Sequence, residues 1–113
     1  MLGVEMIIST TPTYNLSTIK SLVSQHKLKT TKRVDSWLEA HYHNVDDVIQ
    51  CVIAGLEPSD FVKSFELKTR PGIMADVYVG SQFDDTEWYV KVFIEDNTTM
   101  VQIWSMNWDG SLH

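Results

Sequence analysis

The sequence predicts an α+β fold in which helices from the N-terminal half pack on an antiparallel sheet built by the C-terminal half. Three observations carry this reading. Apolar residues recur at helical spacing through Leu16, Ile19, Leu22 and Val23, and again through Val48 and Val52. After Phe65 the period drops to about two. Residues 87–95 then alternate between two unlike sets, with Trp88, Val90, Val92 and Ile94 on one side and Glu87, Tyr89, Lys91, Phe93 and Glu95 on the other. Helices first and strands afterwards give an α+β rather than a βαβ arrangement.

Taken in order, residues 1–10 read as an arm on one domain spanning residues 1–113. The first helix follows, capped by Asn15 or Ser17. Residues 28–31 form an extended connector, and residues 33–41 a second helix with Val34, Trp37 and Leu38 inward. A third helix starts after Asn44, carries Asp46 and Asp47 in its first turn, and stops near Gly55. Pro58-Ser59-Asp60 opens a short helical turn through Ser64. Arg70-Pro71-Gly72 is a turn. Strands over 73–79, 87–95 and 100–108 then make a meander, joined by a polar loop at 81–86 and a turn at 96–99. In the last strand, strict alternation sets Met100, Gln102, Trp104, Met106 and Trp108 on one side, with Val101 and Ile103 on the other. A strand apolar on both sides is either central or offers a patch to a partner, so Met100, Trp104, Met106 and Trp108 are the candidate partner interface.

Composition narrows the class. At 43% hydrophobic and 21% charged, the chain is neither disordered nor low in complexity. It lacks an apolar run long enough for a membrane span and a basic leader, which reads as a cytoplasmic protein. The net charge of −6 is a poor start for binding phosphates. The charge is uneven, however. Residues 1–44 hold five basic and three acidic side chains, whereas residues 45–113 hold four and twelve. Lys29, Lys32 and Arg33 lie in the basic stretch.

Two local features read as ordinary structure. His41, His43 and Asp46 offer metal-ligand types, but histidines two apart in a polar loop are ordinarily solvated. Cys51 sits on an apolar helix and reads as a small buried hydrophobe. No metal and no cofactor are expected.

One set of residues does point to a family. Thr11-Pro12-Thr13-Tyr14 with Leu16, Ile19-Lys20 and Leu22-Val23, followed by Lys29-Thr30-Thr31-Lys32, resembles the start of the motility quorum-sensing regulator (MqsR) toxins. The stretch from Val52 to Ser64, ending Ser59-Asp60-Phe61-Val62-Lys63-Ser64, is similar to their Ser-Asp-Phe-Tyr-Lys-Ser segment. Asp76-Val77-Tyr78 and Tyr89-Val90-Lys91 match two later motifs, and the order holds over about residues 11–105. The resemblance implies a RelE-like α+β toxin that cuts mRNA without a metal and is held by a cognate antitoxin. A homodimer is a further partner to expect. Of the four positions implicated in cleavage, the turn lysine falls on Lys63 and the strand tyrosine on Tyr89. The glutamine position holds Ala75, and no lysine follows Lys91 in the closing strand. Lys91, on the same face as Tyr89, is the candidate replacement cation. Lys29, Lys32, Arg33 and Arg70 are the candidate RNA contacts. Two missing groups leave a weakened ribonuclease as the expectation. The alternative is a catalytically silent binding module on the same fold. A nucleic-acid-binding regulator using the basic stretch without cleavage is a third.

Overall fold

Each helix begins on a side chain that caps it. Asn15, Thr31 and Asn44 accept from the backbone N–H groups of Thr18, Val34 and Asp47, relieving donors that a helix start leaves unpaired. These caps open α1 (Leu16–Ser24), α2 (Lys32–His41) and α3 (Val45–Gly55). Each helix buries a narrow stripe: Ile19 and Val23, Val34 and Leu38, and Val48, Ile49, Val52 and Ile53. Burying one such side chain is worth about 1.5–3 kcal/mol.

The computed structural model describes residues 8–95 and 99–108. Its strands are β1 (Ile8–Ser9), β2 (Leu28–Thr30), β3 (Phe61–Leu67), β4 (Arg70–Gly80), β5 (Trp88–Ile94) and β6 (Val101–Trp108), forming one sheet in the order β1-β3-β4-β5-β6-β2. β3 through β6 make the expected meander, with one strand more than predicted. β1 pairs antiparallel with β3, and β2 pairs parallel with β6. The α+β expectation is therefore met. The helices cover one face, where Tyr78, Trp88, Val90, Val92, Val101, Ile103 and Met106 are buried against them.

Several local expectations change. Within the arm, Ile8 and Ser9 form an edge strand, pairing with Phe65 and Ser64. The rest of the arm, residues 1–7, lies outside the described residues, as do residues 96–98 of the last turn. The 28–31 connector contains β2, whose backbone groups find partners on β6. Residues 61–64 are strand, not helix. The 3₁₀ turn at Pro58–Asp60 closes on itself as Asp60 Oδ2 accepts from the Glu57 N–H at 2.8 Å, and the chain extends at once from Phe61. Gly80 packs against that closure, because a Cβ there would collide with the Asp60 carboxylate. β4 begins at Arg70, so the turn falls before Pro71. Gly72 bends the strand in a left-handed conformation and donates its N–H to Glu66 Oε2 at 2.7 Å. Cys51 is exposed, because the inward stripe of α3 runs through Val48, Ile49, Val52 and Ile53.

The link between α1 and the sheet is a buried carboxylate. Asp76 of β4 is fully buried and accepts the N–H groups of Thr13 at 3.0 Å and Tyr14 at 2.9 Å. Thr13 Oγ1 shares a hydrogen bond with Ser64 Oγ at 2.7 Å, and the Tyr14 hydroxyl donates to the Met74 carbonyl at 2.7 Å. Asp76→Ala is expected to cost about 3 kcal/mol, since it orphans two donors of a charge-assisted pair. Asp76→Asn, which keeps one acceptor oxygen, should cost less. Urea denaturation of the two variants checks the order.

Candidate functional site

The face of the sheet away from the helices is where the predicted residues meet. Cross-strand pairing puts Lys63, Val77, Lys91 and Ser105 in one row across β3, β4, β5 and β6, with Val79, Tyr89 and Asn107 in a second. Phe65 pairs with Ala75, which packs against Phe93, and Phe93 in turn pairs with Gln102 and Gln102 with Lys29. Tyr89 and Lys91 share a face, as their spacing on β5 requires.

A single extra residue sets this pattern. Lys91 pairs with Ser105 and Val92 with Ile103, so Trp104 bulges out of the ladder. On one side of the bulge Val101 and Ile103 point to the core; on the other, Met106 and Trp108 do. The expectation of one apolar face over residues 100–108 is thereby corrected. Trp104 lies on the cation face with its ring 5.7 Å from Phe93, while Met106 is 1% exposed in the core. Trp108 packs inward too, its indole N–H donating to the Tyr42 hydroxyl at 3.1 Å. Met100 precedes the strand and is half-buried. The four residues do not share one face of the sheet. Phe93 is buried on this open face, with Trp104 packed beside it and the Arg70 guanidinium 5.6 Å from its ring.

Lys63 and Lys91 stand over the same ring. Their Nζ atoms lie 5.3 and 4.9 Å from the centre of Phe65, whose π-face is electron-rich. Arg33 approaches Lys91 from α2. Burial pulls the Lys91 pKa below its ordinary value, and the charges of Arg33 and Lys63 pull it further. Burial alone raises that of Tyr89. Desolvation of this half-buried phenol disfavours its phenolate, and the neighbouring Lys91 does not overcome that. Tyr89 is a neutral donor at pH 7.

The other predicted cations divide. Lys29 is exposed on β2, and Lys32 is exposed at the start of α2. Arg70 is tied at the far end of the face, 3.6 Å from the Glu95 carboxylate. Sequence reasoning missed Phe65, whose ring organises both lysines. It also missed that Arg33 joins the cluster rather than a distant flank. Neither has a local signal, since both depend on which strands become neighbours. Among the described residues no three His, Cys, Asp or Glu side chains converge as a metal set. His41 is instead stacked on Trp37 at 4.0 Å.

The residues gathered here include those that carried the likeness in the sequence, and the comparison with family models agrees. The model for the motility quorum-sensing regulator, toxin of MqsA, matches residues 11–105. The chain belongs to this family. No curated protein matches it. Membership makes it a toxin of a toxin–antitoxin system, with an antitoxin of the MqsA kind as its partner. No described helix of this toxin is long and apolar enough to cross a membrane. Its departures from the family pattern now have surroundings. Ala75 is fully buried in a small apolar cluster with Leu67 and Phe93, opposite Phe65. The closing strand offers Ser105 and Asn107 beside Lys91 and Tyr89, and no cation.

The crowding of like charge is measurable. Lys63→Met should raise the Lys91 pKa back towards 10.5, and Arg33→Gln should do the same. NMR titration of the lysine side-chain resonances reads this directly. An unmoved Lys91 in both variants would mean that the three cations do not interact.

Proposed function

We propose that this toxin is a metal-independent endoribonuclease acting on mRNA, with the Lys63, Lys91 and Tyr89 face as its centre. The observation that carries the reading is two lysines over one aromatic ring, with a neutral tyrosine beside one of them. Cleavage by the ribose 2′-OH requires a base for that hydroxyl, an acid for the departing 5′-oxygen, and cations for the crowded phosphorane. Lys91, whose pKa is lowered by burial and by its cationic neighbours, takes the 2′-OH proton in its free-amine fraction. Tyr89 donates to the leaving oxygen. Lys63 carries the charge on the phosphoryl oxygens, Arg33 contacts the flanking nucleotide, and Lys29 and Lys32 hold the flanking backbone through salt-sensitive contacts. Arg33 adds positive potential beside Lys91 but stands outside the cleavage centre, and nothing at Ala75 replaces an amide.

The alternative, a silent binding module acting through its antitoxin, draws on Ala75 and on the acidic chain as a whole. Losing one preorganised stabiliser lowers a rate about 10²–10³-fold, and two such losses leave little.

Incubating the protein with a long mRNA in EDTA separates the readings. Lys63→Ala and Tyr89→Phe should each reduce cleavage by about 10²-fold or more. No cleavage by the native chain, with no growth arrest on expression, favours the silent module. The pH profile is a second check. Because Lys91 acts as the free amine, the rate climbs with pH as it deprotonates below 10.5, and falls only above pH 10, where Tyr89 ionises. Lys91→Ala should flatten the rising limb.

A further inference from the structure

The ladder between β2 and β6 ends at Thr30 and Ile103, yet β6 continues to Trp108. Beyond Ile103, one edge of β6 has no strand partner among the described residues, and α2 packs against this strand. Between helix and strand lies a cavity of about 100 Å³ lined by Arg33, Val34, Trp37, Ser105, Met106 and Asn107. Ser105 and Asn107 are the cross-strand partners of Lys91 and Tyr89, so the slot adjoins the proposed cleavage centre.

Its chemistry is uncommitted. Among the described residues, the Arg33 guanidinium, the Ser105 hydroxyl and the Asn107 amide have no hydrogen-bond or ion-pair partner. The aromatic wall is held rigidly. Trp37 stacks on His41 at 4.0 Å and meets the edges of Trp88 at 5.9 Å and Trp108 at 5.1 Å. A slot of this size takes the edge of a single planar ring.

We propose that this slot is a base-reading subsite, taking the edge of one unpaired RNA base beside the cut, with Arg33, Ser105 and Asn107 as the discriminating groups. The proposal rests on the ribonuclease reading above. Single-stranded RNA presents base edges that a protein can reach, and it is there that sequence is read. Arg33 only donates, so the base it selects offers acceptors on its reading edge. Asn107 and Ser105 donate and accept, which rejects bases whose pattern does not match. Trp37 supplies an apolar wall beside the inserted base edge. Lys91 and Tyr89 engage the sugar-phosphate, which is the same for every nucleotide. Sequence preference therefore comes from the neighbouring slot.

The test measures binding apart from chemistry. Homo-oligomers of A, C, G and U, 2′-deoxy throughout so that they resist cleavage, are titrated into the full chain in EDTA while tryptophan fluorescence is followed. Cleavage of an unmodified mRNA is assayed separately. One base should bind roughly tenfold or more tighter than the worst. Asn107→Ala and Arg33→Gln should level that preference, while Lys63→Ala weakens all four alike. Thermal melts matching the native chain establish that the variants fold. Equal binding of all four bases, or a preference that survives both slot variants, overturns the subsite while mRNA cleavage leaves the ribonuclease reading standing. Absence of both binding and cleavage defeats the two together. Loss of antitoxin binding in Asn107→Ala, with the base preference intact, assigns the slot to the partner and also overturns the proposal.

Discussion

The bulge at Trp104 is the constraint on which the two-faced sheet depends. Before it, Val101 and Ile103 reach the core; after it, Met106 and Trp108 do. An unbroken β6 would keep strict alternation, so with Val101 and Ile103 inward it would turn Met106 and Trp108 outward and Ser105 inward. One inserted residue removes the conflict. The helical side receives apolar side chains along both halves of the strand, and the open side receives Ser105 and Asn107 beside Lys91 and Tyr89. The displaced Trp104 covers Phe93. A packing requirement of the core thus sets the polar lining of the site.

Electrostatics on that open face run against the chain as a whole. A protein with net charge −6 gathers Lys63, Lys91 and Arg33 in one neighbourhood and Lys29 at its border. Like charges repel, and partial burial of Lys91 adds a desolvation cost. The Phe65 ring offsets part of this by offering its face to both ammonium groups. What remains is a local excess of positive potential, which suits an anionic ligand. Arg70 does not add to it, because Glu95 neutralises it.

The opposite face is fastened by Asp76. Its buried carboxylate holds the segment before α1 against β4 and so sets where the first helix begins. The two systems meet in β4 and β5. Asp76 and Val92 are cross-strand partners on the helical side, and Val77 and Lys91 are the next pair on the open side. Strand pleating therefore places the structural anchor and Lys91 one residue apart in the ladder but on opposite surfaces.

Much of this was legible in the amino-acid order alone. The apolar stripes of α1 and α2, the meander, and the shared face of Tyr89 and Lys91 follow from local periodicity, because neighbours three or four apart on a helix, or two apart on a strand, must share a side. The likeness over residues 11–105 was legible in the same way, from short motifs in order. The rest was decided by pairing between distant segments. Whether residues 61–64 coil or extend depended on β4 as a partner, and the outward turn of Cys51 depended on which stripe of α3 met the sheet. The parity of β6 depended on a bulge that strand periodicity does not contain. Arg33, Phe65, Lys63 and Lys91 come together only because β3, β5 and α2 converge across the sheet, and that convergence is a property of long-range packing rather than of any local stretch of sequence.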